Sequence, residues 1–214
     1  ATIRVEETNE SRINELNFDS IEFGKVFSDH MFSVDYKDGE WVNPTISPFG
    51  DIALSPALSS IHYGQSIFEG MKAYKSPDGE VLLFRPLENA KRLNVSASRM
   101  AMPELPEGLF MEGLTQLLHL DSNWIPPREG FSLYIRPFMF ATDDYIGVKV
   151  ADTYKFMIFT TPVGAYYSKP VKVWIDTYHV RAASGGVGYV KASGNYGRSL
   201  YPARLARERG YDQI

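Results

Sequence analysis

A hairpin signal in the middle of the chain limits the folds that this sequence can adopt. Two β-like runs, MKAYK and EVLLF, flank the tetrapeptide Ser76-Pro77-Asp78-Gly79, whose residue types favour a tight turn. An alternating apolar and polar run, MFSVDY, precedes the hairpin, and two longer apolar-rich runs, FSLYIRPFMFAT and YKFMIFTTP, follow it. The chain is therefore predicted to be rich in strands.

Two helical patterns lie between the hairpin and the longer strand runs. Residues 87–101 and 109–120 have the helical period, and in the second of them Leu114, Leu117 and Leu118 fall on one face. Strands and helices in this order predict a mixed α+β domain over residues 1–163.

The pattern changes at PVGAYYSKP, whose Pro, Gly and Ser residues predict an interdomain linker over residues 164–172. Residues 173–214 then contain a predicted strand, VKVWID, a helix over about 196–209 and the start of a further strand, YDQI. So few elements cannot bury their own apolar faces. We therefore expect residues 173–214 to be the first part of a larger domain and the chain to be a fragment of a longer polypeptide.

Composition argues against several classes of partner. The chain has 22 Lys and Arg against 26 Asp and Glu, and no basic run of the kind that binds a nucleic acid. It has no cysteine, and its 4 histidines do not have the spacing of a metal site. The polar N-terminal residues do not resemble a signal peptide or a membrane span. We expect a cytoplasmic protein without nucleic-acid, membrane or metal partners.

The segment GGVGYVKASGNYG, residues 185–197, surrounds a single lysine, Lys191, with glycines and small residues. Its spacing fits neither a nucleotide P-loop nor the dinucleotide fingerprint, and the chain has no GxSxG serine elbow. A lysine in such a setting can form a Schiff base with a carbonyl when its amine is neutral. A lysine in a loop is more often simply solvated, so the spacing alone leaves both interpretations open.

The same segment resembles the cofactor-lysine segment of the branched-chain amino acid aminotransferases, pyridoxal-phosphate enzymes of fold type IV. Other segments are similar to that family in the same order, from about Phe23 onward: FGKVFSDHMFSVDY, SIHYGQSIFEGMKAY, LFRPLENAKRL, SLYIRPFMFA and PVGAYYSKP. The resemblance implies a two-domain architecture, with a small N-terminal α/β domain and the beginning of a larger cofactor-binding domain. It also implies pyridoxal 5'-phosphate as cofactor and a homodimer as the assembly.

Three residues match the family's cofactor contacts. The resemblance implies that Lys191 forms the Schiff base with the cofactor and later moves a proton between the substrate Cα and the cofactor C4'. Arg92, in LENAKRL, matches the arginine that binds the cofactor phosphate, a role suited to a planar guanidinium. Tyr196, in GNYG, matches the tyrosine that hydrogen-bonds the O3' oxygen of the pyridine ring.

Further residues match the family's substrate contacts. Tyr134 and Arg136 are two apart on a predicted strand and so share a face. The resemblance assigns Tyr134 to the substrate α-carboxylate and Arg136 to the distal carboxylate of glutamate or 2-oxoglutarate. It assigns the apolar wall of the pocket to Phe23, Tyr63, Phe68 and Tyr166, of which Tyr63 would serve the site of a neighbouring subunit.

The resemblance implies transamination between leucine, isoleucine or valine and 2-oxoglutarate, with branched-chain 2-oxo acids and glutamate as products. Two alternatives stay open. The chain could belong to another fold-type-IV enzyme, a D-amino acid aminotransferase or an aminodeoxychorismate lyase, or to an inactive fragment or binding protein of the same fold. The family's acidic partner of the pyridine nitrogen is expected beyond Ile214, so we expect the 214 residues to hold only part of an active site.

Overall fold

The computed structural model describes residues 2–164 and 169–214, and within these residues eight strands form a single mixed sheet. In chain order the strands are β1 (Arg4–Val5), β2 (His30–Lys37), β3 (Glu40–Pro48), β4 (Ser66–Phe68), β5 (Met71–Lys75), β6 (Val81–Leu83), β7 (Ser132–Ala141) and β8 (Tyr154–Val163). The helices are α1 (Ser59–Tyr63), α2 (Pro86–Arg99), α3 (Glu107–Leu120) and α4 (Ser193–Glu208), with 3-10 turns at Ile13–Glu15 and Ser122–Trp124.

The order of strands across the sheet is β1-β3-β2-β8-β7-β5-β6, and β4 also pairs with β7. Every pair of neighbouring strands is antiparallel except β1 with β3. The predicted hairpin is confirmed as β5 and β6, in which Ala73 lies opposite Leu83. The two long strands β7 and β8 pair along their whole length near the centre of the sheet. They therefore provide a rigid base for the side chains that they carry.

The two predicted helices are confirmed as α2 and α3, which pack on the sheet over a shared apolar core. Phe32 of β2, Phe110 and Leu114 of α3, and Phe156 of β8 are all completely buried in this core. A Cβ on Gly113 would lie 2.7 Å from ring atoms of Phe32. Glycine at this position is therefore what allows α3 to approach β2 closely.

Strand β3 was not predicted, because its sequence contains Pro44 and Pro48, which disfavour an inner strand. The structure accommodates Pro44 at an irregularity in the β2–β3 ladder, where the register shifts between Ser33 and Asp35. The neighbouring Asn43 has a φ of 55°, a left-handed conformation that asparagine tolerates well. The bulge thus absorbs the proline that argued against a strand.

In residues 173–214 the helix prediction is confirmed by α4, but the prediction of a strand at VKVWID is wrong. Val173 makes only an isolated parallel bridge to Gln213, and a single bridge cannot form a ladder. The YDQI segment contributes that bridge and no strand. The division into domains at residues 164–172 stays a prediction, since part of this segment lies outside the described residues.

No helix within residues 2–164 and 169–214 is long and apolar enough to cross a bilayer. The longest, α4, has 16 residues, a length of about 24 Å at the helical rise, which is shorter than the hydrocarbon core. The same residues contain no cluster of three or more His, Asp or Glu side chains that could hold a metal ion.

Candidate active site

The backbone of Lys191 is held between a strand and a helix of the N-terminal part of the chain. Its carbonyl accepts a hydrogen bond from the Phe68 N–H at 3.0 Å, and its own N–H donates to Ser96 Oγ at 3.1 Å. The next residue, Ala192, forms an antiparallel bridge with Ile67 of β4. Ser96 and Ile67 are completely buried. The base of the lysine side chain is therefore fixed, although it follows a long loop.

The side chain of Lys191 ends beside two aromatic rings. Its Nζ donates a hydrogen bond to the Tyr196 hydroxyl at 3.1 Å and lies 4.5 Å from the centroid of the Phe68 ring. The rings of Phe68 and Tyr196 are themselves in contact, with centroids 4.7 Å apart. The structure thus brings together three residues that the sequence placed in one site.

A buried asparagine closes the loop that precedes Lys191. Asn195 is 1% exposed, and its Nδ2 donates to the carbonyls of Val187 at 2.7 Å and Val190 at 2.8 Å. From the other side, Arg99 Nη2 donates to the carbonyl of Gly185 at 3.2 Å. These bonds hold the loop against the start of α4 and the end of α2.

The glycines of this segment have different tasks from those expected from the sequence. Gly185 has a φ of 75°, which favours glycine, and a Cβ on Gly188 would overlap the Cβ of Ala182. Both residues are therefore required by the loop's own packing. A Cβ on Gly194 or Gly197 would meet nothing within 4 Å, so only these two leave open space at the start of α4.

Arg92 lies on α2 with its guanidinium bound to a buried carboxylate that the sequence did not reveal. Its Nε and Nη2 donate to Glu69 Oε1 at 2.6 Å and Glu69 Oε2 at 2.8 Å. The Glu69 side chain is completely buried, whereas that of Arg92 is 53% exposed. The hydrogen bond to Glu69 raises the pKa of Arg92; burial opposes this effect, and the charges of Glu69 and Tyr196 add to it.

Tyr134 and Arg136 share a face of β7, as predicted, and are hydrogen-bonded to each other. Arg136 Nη2 donates to the Tyr134 hydroxyl at 2.9 Å, and the guanidinium carbon lies 4.6 Å from the centroid of the Phe68 ring. Phe23 packs edge-on against Tyr134, with ring centroids 5.5 Å apart. Because Lys191 and Arg136 contact the same phenylalanine ring, the predicted substrate and cofactor residues form one continuous cluster.

Two residues predicted for the apolar wall are not placed in this cluster. Tyr63 ends α1, is 41% exposed and contacts the ring of its neighbour His62. Tyr166 lies outside the described residues.

An apolar pocket of about 730 Å³ opens beside Phe68, Arg136 and Tyr196. The pocket has apolar walls that the sequence interpretation missed, formed by residues that include Ile52, Leu54, Leu58, Phe138, Phe140 and Phe159. Phe138 and Phe140 could have been found, because they continue the alternation that puts Tyr134 and Arg136 on one face of β7. The space is suited to an aliphatic side chain beside a cation.

Gly70 leaves the space that the Tyr134 hydroxyl occupies. A Cβ on Gly70 would overlap that oxygen, which is the free end of a side chain and can move. We expect Gly70→Ala to keep the fold but to push the Tyr134 hydroxyl away from Arg136. In a crystal structure of the variant, the distance from Tyr134 Oη to Arg136 Nη2 should exceed the hydrogen-bonding limit of about 3.5 Å.

Gly108→Ala is the matched control, because a Cβ at that position meets nothing within 4 Å. It should leave the distance between Tyr134 and Arg136 unchanged. A Gly70→Ala structure with this hydrogen bond intact would show that Gly70 does not determine the position of Tyr134.

No family model matches the chain. Among curated proteins, it is 50% identical over 200 residues to the branched-chain-amino-acid transaminase 1 of Bacillus subtilis (strain 168), an alignment that covers 91% of this chain and 56% of that protein. The chain thus spans little more than half the length of this relative. The resemblance inferred from the sequence is confirmed.

Solved structures show the same relationship. The branched-chain amino acid aminotransferase of Escherichia coli superposes with a TM-score of 0.68 and 27% identity, covering 87% of this chain and 59% of that one. A T.th. branched-chain amino acid aminotransferase with pyridoxamine 5'-phosphate superposes with a TM-score of 0.64 and 25% identity, covering 85% and 58%. The predicted α+β fold of the fold-type-IV aminotransferases is therefore confirmed.

Proposed function

We propose that this chain, a homologue of the branched-chain-amino-acid aminotransferases over about nine tenths of its length, carries part of the active site of a pyridoxal-phosphate-dependent transaminase. The proposed reaction transfers the amino group of leucine, isoleucine or valine to 2-oxoglutarate. The observation that carries the proposal is the contact of Lys191 Nζ with the Tyr196 hydroxyl at 3.1 Å, beside an apolar pocket and Arg136.

The residues present fit the proposed cofactor. Lys191 supplies a primary amine that condenses with an aldehyde, and Tyr196 supplies a hydroxyl close to that amine. Arg92 has an exposed guanidinium edge, which suits an anionic phosphate. Pyridoxal phosphate, when bound, supplies an electron-withdrawing ring that stabilises negative charge at the substrate Cα.

In the proposed reaction, Lys191 both holds the cofactor and moves the proton. Its amine is fixed at the base by Phe68 and Ser96, so the long side chain alone swings between its bonding partners. Once the incoming amino group displaces it, the amine is free to take the proton from the substrate Cα and return it to the cofactor C4'. Tyr196, which accepts a hydrogen bond from this amine, keeps it close to both atoms.

The substrate residues support a pocket for two kinds of side chain. The apolar walls, which include Phe138 and Phe140, suit a branched aliphatic group by burial alone. Arg136 Nε is buried and has no hydrogen-bond partner within the described residues, and a buried unpaired donor costs about 1–3 kcal/mol. A distal carboxylate at this position would remove that cost. We accordingly assign Arg136 to glutamate and 2-oxoglutarate, and Tyr134 to the α-carboxylate.

A homodimer and a cytoplasmic location complete the proposal, and both rest on the family resemblance and the composition. Tyr63, which is 41% exposed and apart from the Lys191 cluster, is assigned to the site of the partner subunit. Phe23 and Phe68 contribute to the apolar wall through their contacts with Tyr134 and Lys191.

The proposed reaction is tested by comparing amino donors with the complete gene product that contains this chain. With 2-oxoglutarate as acceptor, L-leucine should form glutamate at least about tenfold faster than D-alanine, because the pocket distinguishes donors by shape and by paired polar groups. Faster turnover of D-alanine would favour the D-amino acid aminotransferases instead. Absence of amino transfer from any donor would contradict the proposal.

A further inference from the structure

We propose that Glu69 is a positioning residue, which holds the guanidinium of Arg92 in the orientation that binds a phosphate group. The inference rests on the proposed function, in which Arg92 contacts the phosphate of the cofactor. It adds a residue from the bend between β4 and β5 that does not itself touch the cofactor.

The carboxylate of Glu69 is fully enclosed and saturated with donors. Besides Arg92, it accepts hydrogen bonds from Asn89 Nδ2 at 3.0 Å and from the Gly70 N–H at 3.2 Å. Its backbone N–H donates to the carbonyl of Pro137 on β7 at 2.7 Å. Since the side chain has no solvent exposure, it cannot move to follow a mobile partner. Glu69 is therefore a fixed point and Arg92 is the side chain that it orients.

The two bonds from Arg92 fix the plane of its guanidinium. They use one N–H of Nη2 and the N–H of Nε, which form one edge of the planar group. In the part of the chain that the structure describes, the remaining three N–H groups make no hydrogen bond, and the side chain is 53% exposed. A long arginine side chain on a helix surface would otherwise sample many rotamers. The pairing thus presents the free edge of the guanidinium in one direction.

This free edge lies on the side of the cluster formed by Lys191 and Tyr196. The charge of the Tyr196 phenolate is close enough to contribute to the raised pKa of Arg92, after the larger effect of the Glu69 hydrogen bond. The negative charge of Glu69 also opposes the attraction between Arg92 and an anion. Glu69 therefore strengthens phosphate binding through orientation and not through charge, which makes the inference testable with ligands that differ only in the phosphate.

The test compares pyridoxal 5'-phosphate with pyridoxal, which has the aldehyde but not the phosphate. Dissociation constants of both are measured on the cofactor-free complete gene product by absorbance titration. Glu69→Gln presents an amide donor to the donors of Arg92 and Asn89, and should weaken pyridoxal phosphate binding by roughly 10- to 100-fold. Pyridoxal binding should change much less. Because a misfolded fraction affects both ligands equally, the ratio of the two constants isolates the phosphate.

Glu88→Gln is the matched control, since Glu88 is on the same helix as Arg92 but pairs with Lys91 at the surface. It should leave the ratio unchanged. In an Arg92→Lys background, which keeps the charge but not the planar fork, Glu69→Gln should have little further effect on the ratio. If Glu69→Gln does not fold, Glu69→Asp, whose shorter side chain cannot reach both nitrogens, should change the ratio in the same direction.

An equal loss of affinity for both ligands would show that Glu69 only stabilises the fold, and an unchanged ratio would refute the positioning role. Either result leaves the proposed function standing as long as the unmodified protein binds pyridoxal phosphate. If the unmodified protein binds neither ligand, the proposed function fails, and the inference fails with it.

Discussion

Replacement of Lys191 by alanine is expected to abolish both the visible absorbance that pyridoxal phosphate acquires on attachment to a lysine and the transfer of amino groups. The amine of Lys191 is the group that the structure places against Tyr196 and Phe68. Loss of a positioned proton-transfer group alone costs about 10²–10⁴-fold in rate, and the attachment is lost in addition. Absorbance spectra and the rate of glutamate formation from leucine measure the two effects.

The fold should survive this substitution, because the contacts that fix residue 191 come from its backbone. The bonds to Phe68 and Ser96 use the carbonyl and N–H of Lys191 and not its side chain. Lys37→Ala, at the exposed end of β2, is the control and should retain both the absorbance and the activity. A Lys191→Ala variant that keeps the absorbance, or turns over at the rate of the unmodified protein, would contradict the assigned role.

Replacement of Arg136 by alanine is expected to affect glutamate far more than leucine. A hydrogen bond to a charged group contributes about 1.5–3 kcal/mol, so kcat/KM for glutamate should fall roughly 10- to 100-fold. Leucine has no distal carboxylate, and its kcat/KM should suffer only through the lost bond to Tyr134, about 0.5–1.5 kcal/mol for a neutral acceptor. Steady-state kinetics with each donor give the two ratios.

Two further variants separate the roles of this pair. Tyr134→Phe removes the hydroxyl assigned to the α-carboxylate, which both donors have, and should lower kcat/KM for leucine and glutamate by similar factors. Arg136→Lys keeps the charge without the fork and should fall between arginine and alanine with glutamate. Equal losses with both donors in Arg136→Ala would refute the assignment of Arg136 to the distal carboxylate.

The elements with strong local signals could be predicted from the sequence. The β5–β6 hairpin follows from its turn residues, and the helical period of residues 87–120 predicts α2 and α3 to within a few positions of their ends. Strand β3 could not be predicted, since its prolines are tolerated only through a bulge against β2. The VKVWID prediction failed for a related reason. A strand needs a partner as well as a suitable composition, and Val173 forms only one bridge.

The candidate site was partly predictable, and the missing part depends on tertiary contacts. Lys191, Tyr196 and Phe68 were inferred from the family resemblance, and the structure places them in contact. Glu69 could not be inferred, because a glutamate at a bend is ordinarily exposed. Its burial arises only when α2 brings Arg92, 23 positions later, against the bend.

The central claim is that Lys191 is the residue to which pyridoxal phosphate attaches. The most direct test is to load the complete gene product with the cofactor, reduce the linkage with borohydride and map the modified peptide by mass spectrometry. We predict a phosphopyridoxyl group on Lys191, in the peptide that contains GGVGYVKASGNYG. Modification of another lysine with Lys191 unmodified, or no modification after loading, would contradict the account.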